Sequence, residues 1–211
     1  MSLRHQPKAA LINDFSGFGR CSVTVALPII SQMKVQCCPV LTSVFSNHTG
    51  YPSFYFDDYT EKMPSYIAEW KKLNLHFECI AAGFLGSERQ IEIVKNFIRD
   101  FKDETTKVLI DPVMGDHGRT YQTFTPEMCS QMKQLAHFAD ILTPNLTEAC
   151  ILTDTPYHDG HWQMSELSKL ALSLIAMGPS KVVITGVSMG TFIGNVICES
   201  GGTPSVVKRK R

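Results

Sequence analysis

The sequence lacks a long apolar segment and an excess of charge of either sign. No apolar run reaches the roughly 18 residues that a membrane-spanning helix needs. The 211 residues include 20 basic and 20 acidic side chains, so the formal charge is zero. These absences argue against a membrane protein and against a broad basic surface for nucleic acid. A local anion-binding site is still compatible with a balanced charge.

The cysteines show no pairing pattern. There are seven of them, with no Cys-x-x-Cys pair. An odd number without regular spacing is typical of free thiols in a reducing compartment. The N-terminus has no basic segment followed by an apolar one, so we expect no secretory signal and a cytoplasmic protein. We expect residues 1–7 to be an N-terminal remnant and residues 8–211 to form a single domain.

Two common nucleotide-binding motifs are absent or incomplete. The pattern Gly-x-x-x-x-Gly-Lys-Ser/Thr does not occur, which excludes a P-loop. The stretch "DFSGFGRCS" has Gly17 and Gly19, but Ser22 stands where a dinucleotide fingerprint needs a third glycine. The two glycines therefore predict a close backbone approach to a ligand, with a plain strand-to-helix turn as the alternative.

Short apolar runs alternate with segments of helical periodicity along the whole chain. This alternation predicts an α/β fold in which a mostly parallel sheet carries helices on both faces. In such sheets, ligands bind at the carboxyl ends of the strands. The first two predicted strands end at Ile12 and Val44. Polar residues follow the predicted strands at five places: Asn13-Asp14, 46–50, 111–118, 143–148 and Thr185-Gly186.

Two of these polar stretches contain carboxylates. In "IDPVMGDHG", Asp111 and Asp116 could hold a hydrated Mg²⁺ or position a hydroxyl group. The alternative is a turn whose carboxylates bind their own backbone. In "LTPNLTEA", Asn145 is predicted to cap a helix and Glu148 to reach back to it. That cap is compatible with a role near phosphate and Mg²⁺, because a helix N-terminus favours anions.

The run "VFSNHTGY" places four hydrogen-bonding side chains in a row after an apolar stretch. They are Ser46, Asn47, His48 and Thr49. The run predicts either a polar turn or a surface that holds a polar ring. Its position at the carboxyl end of a predicted strand favours the second interpretation.

Six segments together resemble the pyridoxal (vitamin B6) kinases of the ribokinase-like superfamily. They are "INDFSGFGR", "VFSNHTGY", "AAGFLGS", "LIDPVMGDHG", "ILTPNLTEA" and "VVITG", and the resemblance runs from about residue 8 to residue 207. Hydroxymethylpyrimidine kinases resemble the chain next best. The resemblance implies a three-layer α/β/α kinase domain over residues 8–211. It also implies ATP-dependent phosphorylation of the hydroxymethyl group of pyridoxal, pyridoxine or pyridoxamine.

The resemblance also implies roles for individual residues. The substrate-binding residues would be Asp14, Cys21, Phe45, Asn47, His48, Thr49, Phe84 and Tyr121. Thr49 would hydrogen-bond the ring, and Phe84 stands where relatives carry a tyrosine. The nucleotide-binding residues would be Asp116, Thr143, Asn145, Glu148, Thr185 and Gly186. Magnesium would be held, largely through water, by Asp111, Asp116 and Glu148.

The implied cofactors are ATP and Mg²⁺, with a monovalent cation as an open alternative. The implied partners are a B6 vitamer and ATP, with no nucleic acid and no membrane. Because relatives are commonly homodimers, a homodimer is implied as well. A hydroxymethylpyrimidine kinase of thiamine synthesis and a non-catalytic binder of B6 vitamers or nucleotide are the alternative functions.

One feature of these kinases is missing. They carry a late Gly-x-Gly-Asp segment, whose N–H groups form an anion hole and whose Asp is the general base. This sequence has only the pair Gly201-Gly202, followed by Thr203. Three explanations are open: a part of a longer protein, which we expect, a splice or frame product, or an inactive binding homologue. In each case we expect the 211-residue chain to have essentially no kinase turnover.

Overall fold

The computed structural model describes residues 6–122 and 124–211. The chain divides into two compact units, one ending at Val108 and the other running from Leu109 to Arg211. Most of the expected N-terminal remnant, residues 1–5, lies outside the described residues. None of the helices in the described ranges combines the length and apolar character needed to cross a bilayer.

The first unit is built around parallel strands. Its elements are β1 (Lys8–Phe18), α1 (Ser22–Gln32), β2 (Gln36–Asn47), β3 (Phe56–Asp58), α2 (Met63–Lys72), β4 (Cys79–Ala82), α3 (Glu88–Phe101) and the start of β5 (Lys107–Ile110). The strand order is β4-β1-β2-β3. Strand β1 pairs in parallel with β2 and β4, and β3 is antiparallel to β2. Helix α1 packs against β1 and β2.

The first two strands are longer than the sequence predicted. Strand β1 does not end at Ile12 but continues to Phe18, with an irregular register between Asn13 and Phe15. Strand β2 continues past Val44, because Phe18 pairs with Asn47 at the end of the ladder. Backbone pairing of this kind is independent of side-chain polarity, so polar residues can extend a strand. The turn of "VFSNHTGY" therefore begins at His48.

The core of the first unit is rich in aromatic rings. Phe77 and Phe97 are fully buried, and their ring centroids lie 6.2 Å apart. Phe101 packs on both, at 5.6 Å from Phe77 and 4.5 Å from Phe97. The helical spacing of Ile91, Val94, Ile98 and Phe101 was predicted, and all four side chains are buried on one face of α3. This face anchors α3 within the unit.

The second unit combines parallel and antiparallel strands. Its elements are the end of β5, β6 (Gly115–Asp116), β7 (Arg119–Thr120), α4 (Pro126–Ala136), β8 (Ile141–Leu142), α5 (Leu146–Leu152), α6 (Met164–Ile175), β9 (Lys181–Met189), β10 (Phe192–Glu199) and β11 (Ser205–Lys210). The strand order is β5-β8-β9-β10-β11, and β6 pairs with β7 separately. Strands β5, β8 and β9 are parallel, whereas β10 is antiparallel to β9 and β11.

The expected fold class is confirmed. Parallel strands are connected through helices in both units, as predicted for an α/β protein. Helix α6 packs against β9 and β10. Helix α4 starts as predicted, with the Thr125 hydroxyl accepting the Met128 N–H at 3.2 Å and Pro126 in the first turn.

Candidate functional site

An aromatic wall stands at the end of strand β2 in the first unit. Phe45 is buried, and its ring centroid lies 4.9 Å from Phe56, 5.7 Å from Phe54 and 6.1 Å from Phe84. We call these four side chains the phenylalanine wall. Phe54 and Phe56 are each 46% exposed, so part of the wall faces solvent. An exposed aromatic surface of this kind can pack against a flat ring.

The polar residues next to the wall close a loop. Ser46 Oγ donates to Asn47 Oδ1 at 2.6 Å and accepts the Tyr55 N–H at 2.8 Å. The Asn47 amide donates to the Ser53 carbonyl at 2.9 Å. Ser46 and Asn47 therefore hold the loop of residues 48–55 in place, a role that the sequence alone did not predict. The predicted contact of Asn47 with a ligand stays a prediction.

His48 and Thr49 lie in the exposed turn that follows. His48 Nδ1 accepts the Gly50 N–H at 3.0 Å, so the neutral ring carries its proton on Nε2. Thr49 is exposed in the same turn. Beside this turn lies a depression of about 380 Å³. Its lining residues are Phe18, Ser46, Asn47, Tyr51, Pro52 and Ser53.

Three other predicted substrate-binding residues also belong to the first unit. Asp14 is buried in β1, and its carboxylate accepts the Ser16 hydroxyl at 3.2 Å. Cys21 is partly exposed at the N-cap position of α1. Phe84 follows β4 and belongs to the phenylalanine wall. The unit thus contains every predicted substrate-binding residue except Tyr121.

The start of helix α5 is a capping box, as predicted. Asn145 Oδ1 accepts the Glu148 N–H at 2.9 Å, and Glu148 Oε2 accepts the Asn145 N–H at 2.8 Å. Glu148 Oε1 also accepts the Met114 N–H at 3.2 Å, and Asn145 Nδ2 donates to the Gly115 carbonyl at 2.8 Å. Both residues of the box therefore also hold the loop of residues 111–118.

A third residue of α5 strengthens this connection. The Thr147 hydroxyl is buried and accepts the Gly118 N–H at 2.9 Å. Gly118 has φ +73, a conformation that favours glycine, and the Tyr157 ring packs on it. The carboxylates of the 111–118 loop are thus positioned by the first turn of a helix.

Two carboxyl groups of the second unit, those of Glu148 and Asp111, have raised pKa values. Burial raises the pKa of Glu148 from its ordinary 4.5 to about 8, and the neighbouring Asp111 carboxylate adds to this increase. Burial also raises the pKa of Asp111, to about 6. Asp116 is exposed, and its carboxylate accepts the N–H of the next residue, His117, at 2.8 Å. This contact with the local backbone is the one that a turn predicts. Buried carboxylates close enough to repel each other favour a bound cation.

Direct coordination by three of these groups is not supported. Over residues 6–122 and 124–211, no three His, Cys, Asp or Glu side chains come together as a metal-binding group. The predicted set of Asp111, Asp116 and Glu148 is therefore compatible with a cation held largely through water. Its metal-binding role stays a prediction.

The remaining predicted nucleotide-binding residues also belong to the second unit. Thr185 and Gly186 do not follow a strand as the sequence predicted, because β9 continues past them to Met189. Thr143 follows β8, and its N–H donates to the Ile110 carbonyl at 3.0 Å. The Thr185 N–H donates to the Pro144 carbonyl at 2.8 Å. Gly186 has φ +70, and its N–H donates to Asn195 Oδ1 at 3.2 Å. Their proposed contacts with ATP are untested.

Tyr121 is a predicted substrate-binding residue that lies in the second unit. Its side chain is 44% exposed, and its N–H donates to the Met114 carbonyl at 2.9 Å. Burial raises the pKa of its hydroxyl, and the carboxylates of Asp116, Glu148 and Asp111 act in the same direction. Tyr121 is thus electrostatically coupled to the predicted metal-binding carboxylates.

Gly115 leaves no space for a side chain, and we expect Gly115→Ala to displace the loop. A Cβ atom there would lie 2.2 Å from the Arg119 carbonyl oxygen, which is backbone and cannot rotate away. The substitution should lower the free energy of unfolding by about 1–3 kcal/mol, as overpacking typically does. Urea denaturation would measure the change. Gly160→Ala is the control, because its nearest neighbour is the movable His158 ring at 3.2 Å. Equal losses in both variants would contradict the expectation.

Comparison with known proteins agrees with the fold and defines the family. The chain matches the phosphomethylpyrimidine kinase family over residues 27–211. One similar solved structure is that of a Bacteroides thetaiotaomicron protein described as a putative phosphomethylpyrimidine kinase, in a crystal form with pyridoxal. It is 42% identical in sequence to this chain, and the TM-score is 0.92. The match covers 98% of this chain and 73% of that one. The fold is that of the ribokinase-like α/β proteins. The chain belongs to the phosphomethylpyrimidine kinase family.

Proteins named pyridoxal kinase are also similar to this chain. The crystal structure of the pyridoxal kinase from Lactobacillus plantarum is 28% identical with a TM-score of 0.88, covering 98% of this chain and 73% of that one. The pyridoxal kinase of Arabidopsis thaliana is 30% identical over 180 residues, which is 81% of this chain and 56% of the relative. The chain thus spans about half the length of the curated relatives that it matches.

Proposed function

We propose that this chain contributes to the ATP-dependent phosphorylation of the hydroxymethyl group of pyridoxal, pyridoxine or pyridoxamine. The observation that carries the proposal is the phenylalanine wall, which ends in the polar run of residues 46–49. A vitamer has a flat ring with polar substituents, which requires an aromatic surface and a few placed hydrogen bonds. The similarity to a protein crystallised with pyridoxal supports the same substrate class.

In this proposal the first unit recognises the vitamer. Phe45 and Phe84 would pack against the ring, while Thr49 would hydrogen-bond to a ring substituent. Asp14 and Cys21 would contact the ring from β1 and the start of α1. His48 would lie near the ring, with the Nε2 proton of its neutral form available for donation.

The second unit would bind the nucleotide. Thr143 and Asn145 would contact the phosphates of ATP, with Thr185 and Gly186 near the nucleotide. Among the described residues, Asn145 uses its Oδ1 and one Nδ2 hydrogen for contacts inside the unit, so the second amide hydrogen would be available to a phosphate oxygen.

Mg²⁺ fits the carboxylates of the second unit. Burial raises the pKa values of Asp111 and Glu148, so their ionised forms would be stabilised by a bound cation. Asp111, Asp116 and Glu148 would hold the ion largely through water, and the ion would neutralise charge on the phosphates during transfer. The homodimer, the monovalent cation and the cytoplasmic location stay predictions.

A second candidate is the phosphorylation of hydroxymethylpyrimidine, because the matched family is named for a related pyrimidine, phosphomethylpyrimidine. Titration calorimetry on the 211-residue chain with pyridoxal and with hydroxymethylpyrimidine separates the two. We expect the chain to bind pyridoxal more tightly, and the reverse order would replace the proposal by the second candidate.

We also expect binding without turnover by these 211 residues, since the sequence contains no Gly-x-Gly-Asp segment. If the complete natural protein bound a vitamer without turnover, it would be a non-catalytic binder.

Substitution of Thr49 tests the proposed ring contact. Thr49→Val removes the hydroxyl and keeps the shape, so pyridoxal binding should weaken by about 1–3 kcal/mol, the value of a lost buried hydrogen bond. Thr49→Ser keeps the hydroxyl and is the matched control. Calorimetry should give an unchanged dissociation constant for ATP in both variants. If the Thr49→Val and Thr49→Ser variants bound pyridoxal equally well, the proposed hydrogen bond from Thr49 to the ring would be refuted.

A further inference from the structure

The backbone of Phe84 is held from both sides by side chains of other strands. Its N–H donates to Asn13 Oδ1 at 3.0 Å, and its carbonyl accepts the Thr42 hydroxyl at 3.0 Å. Asn13 belongs to β1 and Thr42 to β2. Thr42 is completely buried. Two strands therefore fix the peptide groups on either side of Phe84, whose ring belongs to the phenylalanine wall.

Asn13 also connects Phe84 to another predicted substrate-binding residue. The same Oδ1 atom accepts the Asp14 N–H at 3.0 Å. Gly83 makes room for this amide, because a Cβ atom there would lie 2.5 Å from Asn13 Nδ2. One side-chain oxygen thus sets the relative position of the Asp14 and Phe84 backbones.

Gln90, on helix α3, connects Thr42 with the segment that follows Phe84. Its Nε2 donates to the Thr42 carbonyl and to the Thr60 hydroxyl, each at 2.8 Å. Its Oε1 accepts the Gly86 N–H at 2.7 Å. Gln90 is buried among apolar neighbours on its helix, and a buried amide is stable there only when its hydrogen bonds are satisfied. The segment after β4 is therefore tied to β2 at two points.

We propose that Thr42 and Asn13 are positioning residues that set the Phe84 ring, and so determine how tightly an aromatic vitamer is held. The inference rests on the proposed function, because it takes the phenylalanine wall as the ring-binding surface. Phe84 meets Phe45 edge to face, with 67° between the ring planes. Such contacts depend on angle, and small misplacements of a binding group reduce its effect sharply.

Thr42 allows a matched pair of substitutions. Thr42→Val keeps the shape but removes the donor to the Phe84 carbonyl, whereas Thr42→Ser keeps the donor. Pyridoxal and ATP dissociation constants would be measured by calorimetry, at a temperature where melting curves show each variant fully folded. We expect Thr42→Val to weaken pyridoxal binding about tenfold, the equivalent of one lost hydrogen bond, and Thr42→Ser to restore most of it. Binding of ATP should stay within about twofold of the wild type, because the ATP contacts proposed above lie on other residues.

The outcomes separate this inference from the proposed function. If the wild-type chain does not bind pyridoxal, the proposed function and the binding part of the inference both fail. If the wild type binds and Thr42→Val binds equally well with a lower melting temperature, Thr42 is only structural and the inference alone is overturned. The NMR amide signal of Phe84 gives a readout without ligand, and it should move in Thr42→Val more than in Thr42→Ser. Equal signals would overturn the positioning role.

Asn13→Ala, which removes the contact to the Phe84 N–H, should weaken pyridoxal binding in the same way.

Discussion

The metal-free chain should lose stability as the pH rises from about 5 to about 8. Burial raises the pKa of Glu148 from 4.5 to about 8, so the folded chain holds a proton that the unfolded chain has already released. Stability is then fully present below the unfolded pKa and is lost as the pH rises through the folded one. The loss from this one group should be about 3–5 kcal/mol. Asp111, with a pKa of about 6, should add to the loss at the acidic end of this window.

Urea denaturation at a series of pH values would measure this loss, and Glu148→Gln is the control. The amide does not titrate, so the variant should show a much flatter dependence on pH. It should carry a constant cost of about 1–3 kcal/mol, because Glu148 accepts from both Asn145 and Met114 and Gln has only one acceptor oxygen. Added Mg²⁺ should stabilise the wild type most at high pH. Parallel pH profiles for wild type and variant would show that Glu148 is not the group responsible.

Asn145→Ala should be the most destabilising single truncation in the second unit's polar network. It removes the cap that accepts the Glu148 N–H and also the donor to the Gly115 carbonyl. A lost cap and a lost loop contact together should lower the free energy of unfolding by about 2–4 kcal/mol. Binding of ATP with Mg²⁺ should weaken as well, because the 111–118 loop loses an anchor and the proposed phosphate contact of Asn145 is removed. Denaturation curves and calorimetry would measure the two effects.

Thr125→Ala provides the control for this experiment. Thr125 caps α4 by accepting the Met128 N–H, a contact with its own helix. It should lose about 1 kcal/mol, the ordinary value of a cap, and leave ATP binding unchanged. The difference between the two losses in the free energy of unfolding measures the contribution of the contact between Asn145 and the Gly115 carbonyl. Equal losses would mean that the Gly115 contact contributes nothing.

Local patterns in the sequence predicted the parts of the fold that depend on neighbouring residues. The capping box of Asn145 and Glu148 was predicted because its partners lie three residues apart. The apolar face of α3 followed from helical spacing in the same way. The predicted ends of β1 and β2 were wrong. The pairing of Phe18 with Asn47 depends on a neighbouring strand, so no local pattern in either segment indicates it.

The candidate site was predictable only in part, for the same reason. Phe45 was implied by the family resemblance, but Phe56 was missed, because it joins the wall through the antiparallel pairing of β2 with β3. The contacts of Phe84 with Asn13 and Thr42 span 71 and 42 residues of sequence. Gln90 did leave a signal, since it is a polar residue on the buried face of a helix. A polar residue at such a position indicates a fixed partner.

The first turn of α5 constrains how this chain can change. Asn145, Thr147 and Glu148 each use their side chains for the 111–118 loop, and Asn145 and Glu148 also begin the helix. A serine or an aspartate could replace Asn145 as a cap, but neither offers an amide donor for the Gly115 carbonyl. The residues tolerated at Asn145 and Glu148 are those that satisfy both segments at once. Random mutagenesis should therefore find these two positions far less permissive than an ordinary helix start.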